Sequence, residues 1–380
     1  MIWISLLLGL VLLASLVLNF LATWRGWLFV HRVARVAPQG FQPPVTLMIP
    51  VCGVEGEGLA HFQRFCALDW PRYQLLFTLL DPADPALPLL RQLRSNDHCT
   101  IDIQVGGSST GFNLKVRNLL NAWPSVRHDW IVICDADVRA ESDLLQGLMS
   151  PFHAGNPNEV GLTHSLYRCM ENPTLAAAWE NIWINCDFWV QGLLGDWLKG
   201  TDFAFGAAMA VSRDTLKSIG GFEAFENHLA DDYQLGNRVA KLGKKLIFNP
   251  RVVTLQGGPS TWGQVWKHLM RWSRTIRVCQ PGGYAGSILM NLTFWSIVAL
   301  FFAPHLRVVA LGCIVLRLMM AGLCEGWIRG RTSGSTFWLV PFKDLAQFAL
   351  WLLAFRNGPI EWRGALYQLK SDGTLTPAGK

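Results

Sequence analysis

The chain has 380 residues, of which 51% are apolar and only 16% charged, against about 25% charged residues in a typical soluble domain. That balance excludes intrinsic disorder, which needs high charge and little apolar content, and argues against an ordinary cytosolic protein. The net charge of +6, with no Lys/Arg run longer than two, excludes a nucleic-acid footprint and leaves no nucleic acid among the expected partners.

Eighteen Trp stand against five Tyr, and Trp concentrates where membrane meets water. One sizeable globular domain with attached membrane segments is therefore expected. The nine Cys are odd in number and form no C-x-x-C pair. They read as reduced thiols rather than a disulfide framework or zinc site.

Residues 1–24 lack charged side chains and are rich in Leu, Ile and Val, long enough for a membrane span. A cleaved signal peptide would want a basic start and a small-x-small site. Met1-Ile2-Trp3 and Leu21-Ala22-Thr23-Trp24 offer neither, so a retained anchor is favoured. Arg25, Arg32 and Arg35 follow directly, which by the positive-inside rule places the next segment in the cytoplasm.

Between residues 44 and 255, short apolar runs alternate with helix-length stretches. Val45–Val51, Tyr73–Leu80, Ile101–Val105 and Trp130–Cys134 read as buried strands, the first leading through Gly53 and Gly56 into a helix-like segment. The expected fold class is α/β, with a mostly parallel sheet covered by helices on both faces. Ligands bind such sheets at the carboxyl ends of the strands, and two acidic clusters fall there.

Asp135-Ala136-Asp137 follows the fourth strand. Two carboxylates two apart at a strand end can hold one hard divalent cation, Mg²⁺ or Mn²⁺, whose other ligands come from phosphate and water. Such a site suits a nucleotide-sugar diphosphate, whose leaving charge must be neutralised. Turn-forming Asp is the plainer explanation of the same pattern. Asp81, after the second strand, is either a turn residue or an acceptor for the N–H of a uracil base. Asp84, before Pro85, is read chiefly as a helix cap.

Asp231 and Asp232 open the helical pattern Gln234–Ala240. Capping and the helix dipole account for two Asp at such a place. A carboxylate at a helix N-terminus beside a cleft is also a good general base, and Asp232 is the candidate. Residues 256–282 read as an interfacial segment holding His268-Leu269-Met270-Arg271-Trp272, with Trp262, Trp266, Arg274 and Arg277 around it. That composition fits a basic, aromatic membrane-surface helix. It also fits Arg271 on a diphosphate and Trp272 against an acceptor. Ala178–Leu198, with four Trp and few charges, is either core or a lipid-facing lip.

The region 283–380 is expected to be transmembrane or interfacial. Ile288–Ala303 is the clearest span. Val308–Leu323 contains Arg317, and Thr336–Phe355 contains Lys343 and Asp344. Charges in a span are costly and face a protein interior or the headgroups, so these two runs read as spans, a hairpin or interfacial helices. Arg329 and Arg331 between them suggest a cytoplasmic loop.

Taken in order, a strand-end Asp, D-x-D, an Asp pair and x-x-x-Arg-Trp beside a span resemble the D, D, D, (Q/R)-x-x-R-W series of family-two inverting glycosyltransferases. The chain looks most like their ceramide glucosyltransferase branch, which includes bacterial hopanoid glycosyltransferases. Further matches are Ile49-Pro50-Val51-Cys52-Gly53-Val54-Glu55, Leu68-Asp69-Trp70-Pro71, Asp81–Ala86, Asn113-Leu114-Lys115-Val116-Arg117-Asn118-Leu119 and Gly220-Gly221-Phe222. The resemblance covers roughly residues 45–280.

It implies a GT-A type, Rossmann-like domain with Asp81 at the nucleotide and Asp135 and Asp137 at metal and diphosphate. It implies Asp232 as base, and Arg271 and Trp272 at diphosphate and acceptor. His268 stands where the series has Gln or Arg, and Asp231 where Glu is commoner. The implied reaction moves a single hexose, glucose or N-acetylglucosamine, from a UDP-sugar to a membrane lipid alcohol such as ceramide or a hopanoid. The implied setting is a bacterial inner membrane, with catalysis on the cytoplasmic face. A processive polysaccharide synthase and an inactive membrane-binding protein are the competing readings.

Overall fold

The computed structural model describes residues 2–32, 41–54, 57–154, 159–258, 261–330, 336–356 and 358–378. Arg35, Glu55, Gly56 and Arg331 lie outside them. The strands are β1 (Val45–Pro50), β2 (Tyr73–Leu79), β3 (Cys99–Val105), β4 (Trp130–Cys134), β5 (Val138–Arg139), β6 (Val160–His164), β7 (Tyr167–Cys169), β8 (Ala208–Ser212), β9 (Lys245–Phe248), β10 (Val253–Leu255), β11 (Ile360–Trp362), β12 (Ala365–Leu369) and β13 (Leu375–Pro377).

The main sheet has seven strands in the order β3-β2-β1-β4-β8-β6-β9. β8 runs antiparallel to β4 and β6, and the other neighbours are parallel. The mostly parallel α/β sheet read from the sequence is thus present, with one reversed strand inside it. Its runs of Val, Ile and Leu are buried on both faces, as parallel strands require. One face packs Phe62 and Phe65 from the helix Leu59–Phe65 and Leu145 and Leu148 from Leu144–Ala154. The other packs Val116 and Leu119 from Leu114–Ala122, and Leu235 and Val239 from Asp231–Lys241.

The N-terminal helix runs past Trp24 to Arg32, roughly 46 Å at 1.5 Å per residue. Leu10, Leu13 and Phe20 project outward. Gly26 lets this helix touch Trp189–Lys199, since a Cβ there would lie 2.7 Å from Val190 Cγ1 and 2.8 Å from Trp189 Cη2. Among the described residues, three helices are long and apolar enough to cross a membrane: Ile2–His31, Pro304–Arg329 and Phe337–Ala354.

The run Ile288–Ala303, expected as a single span, is not one straight helix. The chain bends by 55° between Pro281–Met290 and Leu292–Phe302. Asn291 causes the break: its side chain accepts from Phe294 N at 3.0 Å, capping a new helix start. Its Nδ2 donates to Asp344 O at 2.6 Å. The helix beyond it has 11 residues, roughly 16 Å, about half of a hydrocarbon core.

The two runs with charges inside them are the continuous helices, and those charges satisfy one another. Arg317 is buried and donates to Asp187 at 2.8 Å and to Asp344 at 3.0 Å. Lys343 pairs with Asp344 at 2.6 Å and with Asp187. Thr293 Oγ1 donates to Asp344 Oδ2 at 2.6 Å. Asp187 sits in a π-turn, Ile184–Phe188, between the helices Leu175–Trp183 and Trp189–Lys199. This neutral quartet fastens the apolar helices to the segment beneath the sheet. None of the nine cysteines forms a disulfide.

Candidate active site

The carboxyl end of β4 delivers Asp135-Ala136-Asp137, and the helix Asp231–Lys241 delivers the Asp pair. One side chain joins them. Lys115 Nζ lies 2.6 Å from Asp135 Oδ1, 3.2 Å from Asp231 Oδ2 and 3.4 Å from the carbonyl of Gly206. Burial alone would lower the ammonium. The carboxylates of Asp135 and Asp231 outweigh it and hold Lys115 well above the ordinary lysine range. Burial in turn raises the Asp135 carboxyl, and Lys115 opposes that.

Asn113 places the lysine. Its Oδ1 accepts from Lys115 N and Val116 N, capping Leu114–Ala122. Its Nδ2 donates to His228 O at 2.8 Å. A single buried amide therefore starts the lysine's helix and ties it to the loop that enters the Asp pair.

Capping does not explain that pair. The N-cap is Ala230, and no side chain caps the helix. Asp232 Oδ1 accepts from Tyr233 N at 2.7 Å. Burial, and next the neighbouring Asp231 charge, push the Asp232 carboxyl up to about 7, against the pull of Lys115 and of the Tyr233 amide. Gly206 packs onto it so closely that a Cβ would lie 2.9 Å from Asp232 Oδ2 and 3.0 Å from its Cβ. Gly206→Ala must displace Asp232. The expected result is a loss of turnover of at least about tenfold, with the melting temperature lowered only slightly, checked by steady-state kinetics beside thermal unfolding. Wild-type turnover in that variant would show that Asp232 tolerates the shift.

The helix Trp262–Cys279 carries Arg271 and Trp272 and begins with a Thr261/Gln264 capping box. The Trp272 ring stacks on Phe188 at 5.5 Å and meets Trp183 at 5.2 Å and His268 at 4.5 Å. His268 Nδ1 donates to the buried carboxylate of Glu180. A His at the position of Gln or Arg thus fixes the tryptophan from below. Burial, then the nearby Arg363, lowers the Arg271 guanidinium to about 10, while Glu180 opposes the shift. Tyr167 links the two halves. After burial, Asp232, Asp137 and Glu180 all push its phenol upward, so these carboxylates face one region.

Asp81 stands apart from this cluster. It is exposed after β2, and its Oδ1 accepts from Ala83 N at 2.8 Å, an Asx turn. Since β1 separates β2 from β4, Asp81 lies roughly 10 Å along the same sheet edge by strand spacing. Asp84 does more than cap. It is buried and accepts from Ala86 N at 2.9 Å and from Gly53 N at 2.9 Å, joining the loops after β1 and β2.

His61 braces the D-x-D turn. Its Nε2 donates to the carbonyl of Ala136, and Nδ1 meets Gln256 Oε1, both at 2.6 Å. Ala178–Leu198 is core and lip together: Trp189 is buried, while Trp197 and Leu198 are exposed.

Lys115, His61, Glu180 and Gly206 are site residues that the sequence did not single out. Lys115 lies inside a matched segment, where nothing shows that its ammonium reaches two distant carboxylates. His61 and Glu180 are isolated polar residues in apolar helical stretches, and periodicity reads those as surface or satisfied core.

Comparison with known proteins agrees with this geometry. Glycosyl transferase family 21 matches residues 7–375. Ceramide glucosyltransferase 3 of Caenorhabditis elegans is 20% identical over 357 residues, 88% of this chain and 74% of that protein. Ceramide glucosyltransferase 1 of the same organism is 21% identical over 248 residues, and there the chain spans about half (53%) of the relative's length. Among solved structures, the mannosyltransferase PcManGT from Pyrobaculum calidifontis, in complex with GDP-Man and Mn²⁺, superposes with a TM-score of 0.53. The match covers 91% of this chain and 99% of that one at 15% identity, a likeness of fold. With the family match running from the N-terminal helix into β13, the chain belongs to glycosyl transferase family 21, a membrane protein with a GT-A like fold.

Proposed function

We propose that this glycosyltransferase moves one hexose, glucose or N-acetylglucosamine, from a UDP-sugar to the hydroxyl of a membrane lipid such as ceramide or a hopanoid, inverting the anomeric carbon. The observation that carries the reading is Asp232, a carboxyl raised to about 7 beside Asp231, the residue that Lys115 ties to Asp135. A general base works best with a pKa near the working pH.

The acceptor hydroxyl gives its proton to Asp232 while its oxygen forms the new bond to C1 of the sugar. The bond from C1 to the diphosphate oxygen breaks on the opposite face, and UDP leaves with that electron pair. Arg271 is proposed to hold the diphosphate. Trp272, fixed by Phe188, Trp183 and His268, offers a flat face to the acceptor. Asp81 is proposed at the uracil end of the sheet edge.

Asp135 and Asp137 are proposed to hold Mg²⁺ or Mn²⁺. Among the described residues no group of three or more His, Cys, Asp and Glu forms a cage for a cation. Two carboxylates at a strand end fit an ion that takes its remaining ligands from phosphate and water. When bound, the cation neutralises charge developing on the leaving diphosphate.

The apolar helices keep this chemistry at the bilayer, where a lipid alcohol can reach it. The proposal sets the catalytic domain on the cytoplasmic face of a bacterial inner membrane, and the basic Arg25 and Arg32 after the first span support the cytoplasmic side.

Because the base must be ionised, kcat/KM should rise with pH through about 7. A pH–rate profile checks this. A rising limb centred near 3.8, the ordinary carboxyl value, would contradict the burial argument. Chelation with EDTA should abolish transfer, and Mn²⁺ or Mg²⁺ should restore it. Full activity in EDTA would remove the metal from the scheme.

A further inference from the structure

The three-stranded sheet β11-β12-β13 folds back from the membrane helices onto the catalytic cluster. Its β12–β13 side is joined to the loop before the Asp pair: Leu229 N donates to Gly373 O at 3.1 Å, and Leu375 N to Asn227 O at 2.7 Å. Leu229, Ile360, Tyr367 and Leu375 form a small core there. The β11 side is fastened to the Trp262–Cys279 helix. Glu361 pairs with Lys267 at 2.6 Å, and Arg274 donates to Pro359 O at 2.9 Å. The sheet therefore bridges the two elements that carry Asp232 and Arg271.

The turn between β11 and β12 is unusual. Trp362 pairs with Ala365, so Arg363-Gly364 is a two-residue hairpin turn, with φ of +49° at Arg363 and +79° at Gly364. Such turns strongly prefer Asn-Gly or Gly-Gly, because both positions need φ > 0. Among the described residues Arg363 is the one non-glycine with positive φ. A bulky side chain held there against its preference points to a use.

The Arg363 side chain is exposed and, among the described residues, has no ion-pair partner. Its hairpin lies against the helix that carries Arg271: Lys267, one turn before Arg271, pairs with Glu361, two residues before Arg363, and Arg274, just beyond Arg271, donates to Pro359 O. In keeping with that placement, Arg363 lowers the Arg271 guanidinium, behind the larger effect of burial. Two guanidiniums brought together from separate elements repel one another. An anion between them removes that repulsion, and the planar fork of Arg matches phosphate oxygens in pairs.

We propose that Arg363 is a donor-positioning residue which, with Arg271, forms a two-armed clamp on the diphosphate of the nucleotide-sugar donor. This assignment rests on the nucleotide-sugar reading above and extends it to the C-terminal sheet. That sheet then has a role in catalysis, since the donor site is complete only when the chain beyond the last membrane helix has docked.

The test uses the full-length protein in lipid nanodiscs, with calorimetric titration of UDP and of uridine. Arg363→Asn suits the turn, so its melting temperature should equal or exceed that of the wild type. Its affinity for UDP should fall by about 10- to 100-fold, the cost of losing a charged hydrogen-bonding pair, while uridine binds as before. Arg363→Lys keeps the charge without the fork and should recover only part of the loss. Equal UDP affinity in the wild type and both variants would overturn the assignment while leaving the donor reading standing. Equal losses for UDP and uridine would also overturn it, since the residue would then shape the site rather than hold phosphate. A wild-type protein that binds neither UDP nor uridine would overturn the donor reading itself.

Discussion

Replacing Asp232 by Asn is expected to lower turnover by about 10²- to 10⁴-fold, the range for loss of a general base, while the UDP-sugar still binds as in the wild type. The substitution is close to a pure removal of basicity. An Asn Oδ1 still accepts from the Tyr233 amide, as the carboxylate does at 2.7 Å, and the volume beside Gly206 is unchanged. The fold also should not suffer. The ionised carboxylate is disfavoured by burial and by Asp231, so the native state binds a proton more tightly than the unfolded chain. Stability contributed by this group therefore falls as pH rises from the ordinary carboxyl value of 3.8 towards about 7. An uncharged Asn escapes that penalty, and at alkaline pH the variant should melt at or above the wild-type temperature. Steady-state kinetics with parallel donor titration separate the two effects. Normal turnover would reject Asp232 as base, and loss of donor binding would make it a binding residue instead.

The second large effect lies away from the site. Arg317→Met leaves Asp187 and Asp344 with a single buried cation, Lys343, where the native quartet is neutral. Removing one partner of a buried ion pair costs about 3–5 kcal/mol, because the charge left behind cannot return to water. In lipid surroundings no solvent relieves it. The expected outcome is a sharply lower melting temperature in detergent, with the helix Arg307–Arg329 released from the π-turn at Asp187. Replacing all four residues by apolar side chains of similar volume should restore much of the stability, since a well-packed apolar substitute for a buried pair is often neutral. An unchanged melting temperature for Arg317→Met would mean that the quartet holds nothing together.

The two layers of the molecule differ in how readily sequence discloses them. The strands β1 to β4 are legible because a parallel sheet buries both faces and writes continuous runs of Val, Ile and Leu. The reversed strand β8 is not, since Ala208–Ser212 is short and its direction depends on pairing with both β4 and β6. Among the apolar runs, charge content misleads in both directions. Ile288–Ala303 looks continuous because one Asn weighs little in hydropathy, yet its side chain caps a helix and bends the chain. Thr336–Phe355 looks doubtful because Lys343 and Asp344 count heavily, yet each is paired.

At the site, the acidic residues are legible by type and spacing. The side chains that fix them are not. Lys115 reaches two carboxylates far apart in the chain, and Arg363 arrives on a hairpin far beyond Arg271 only after the membrane helices have turned it back. Sequence order contains no direct signal for such convergence.

The most direct test of the central claim is the product itself. The purified full-length chain in vesicles containing ceramide would be given radiolabelled UDP-glucose or UDP-N-acetylglucosamine with Mn²⁺, and the lipid extract separated by thin-layer chromatography, with Asp232→Asn as control. The expected result is one labelled lipid carrying a single hexose of inverted configuration, absent from the control. A labelled polymer, or no labelled lipid with ceramide and with a hopanoid polyol alike, would contradict it.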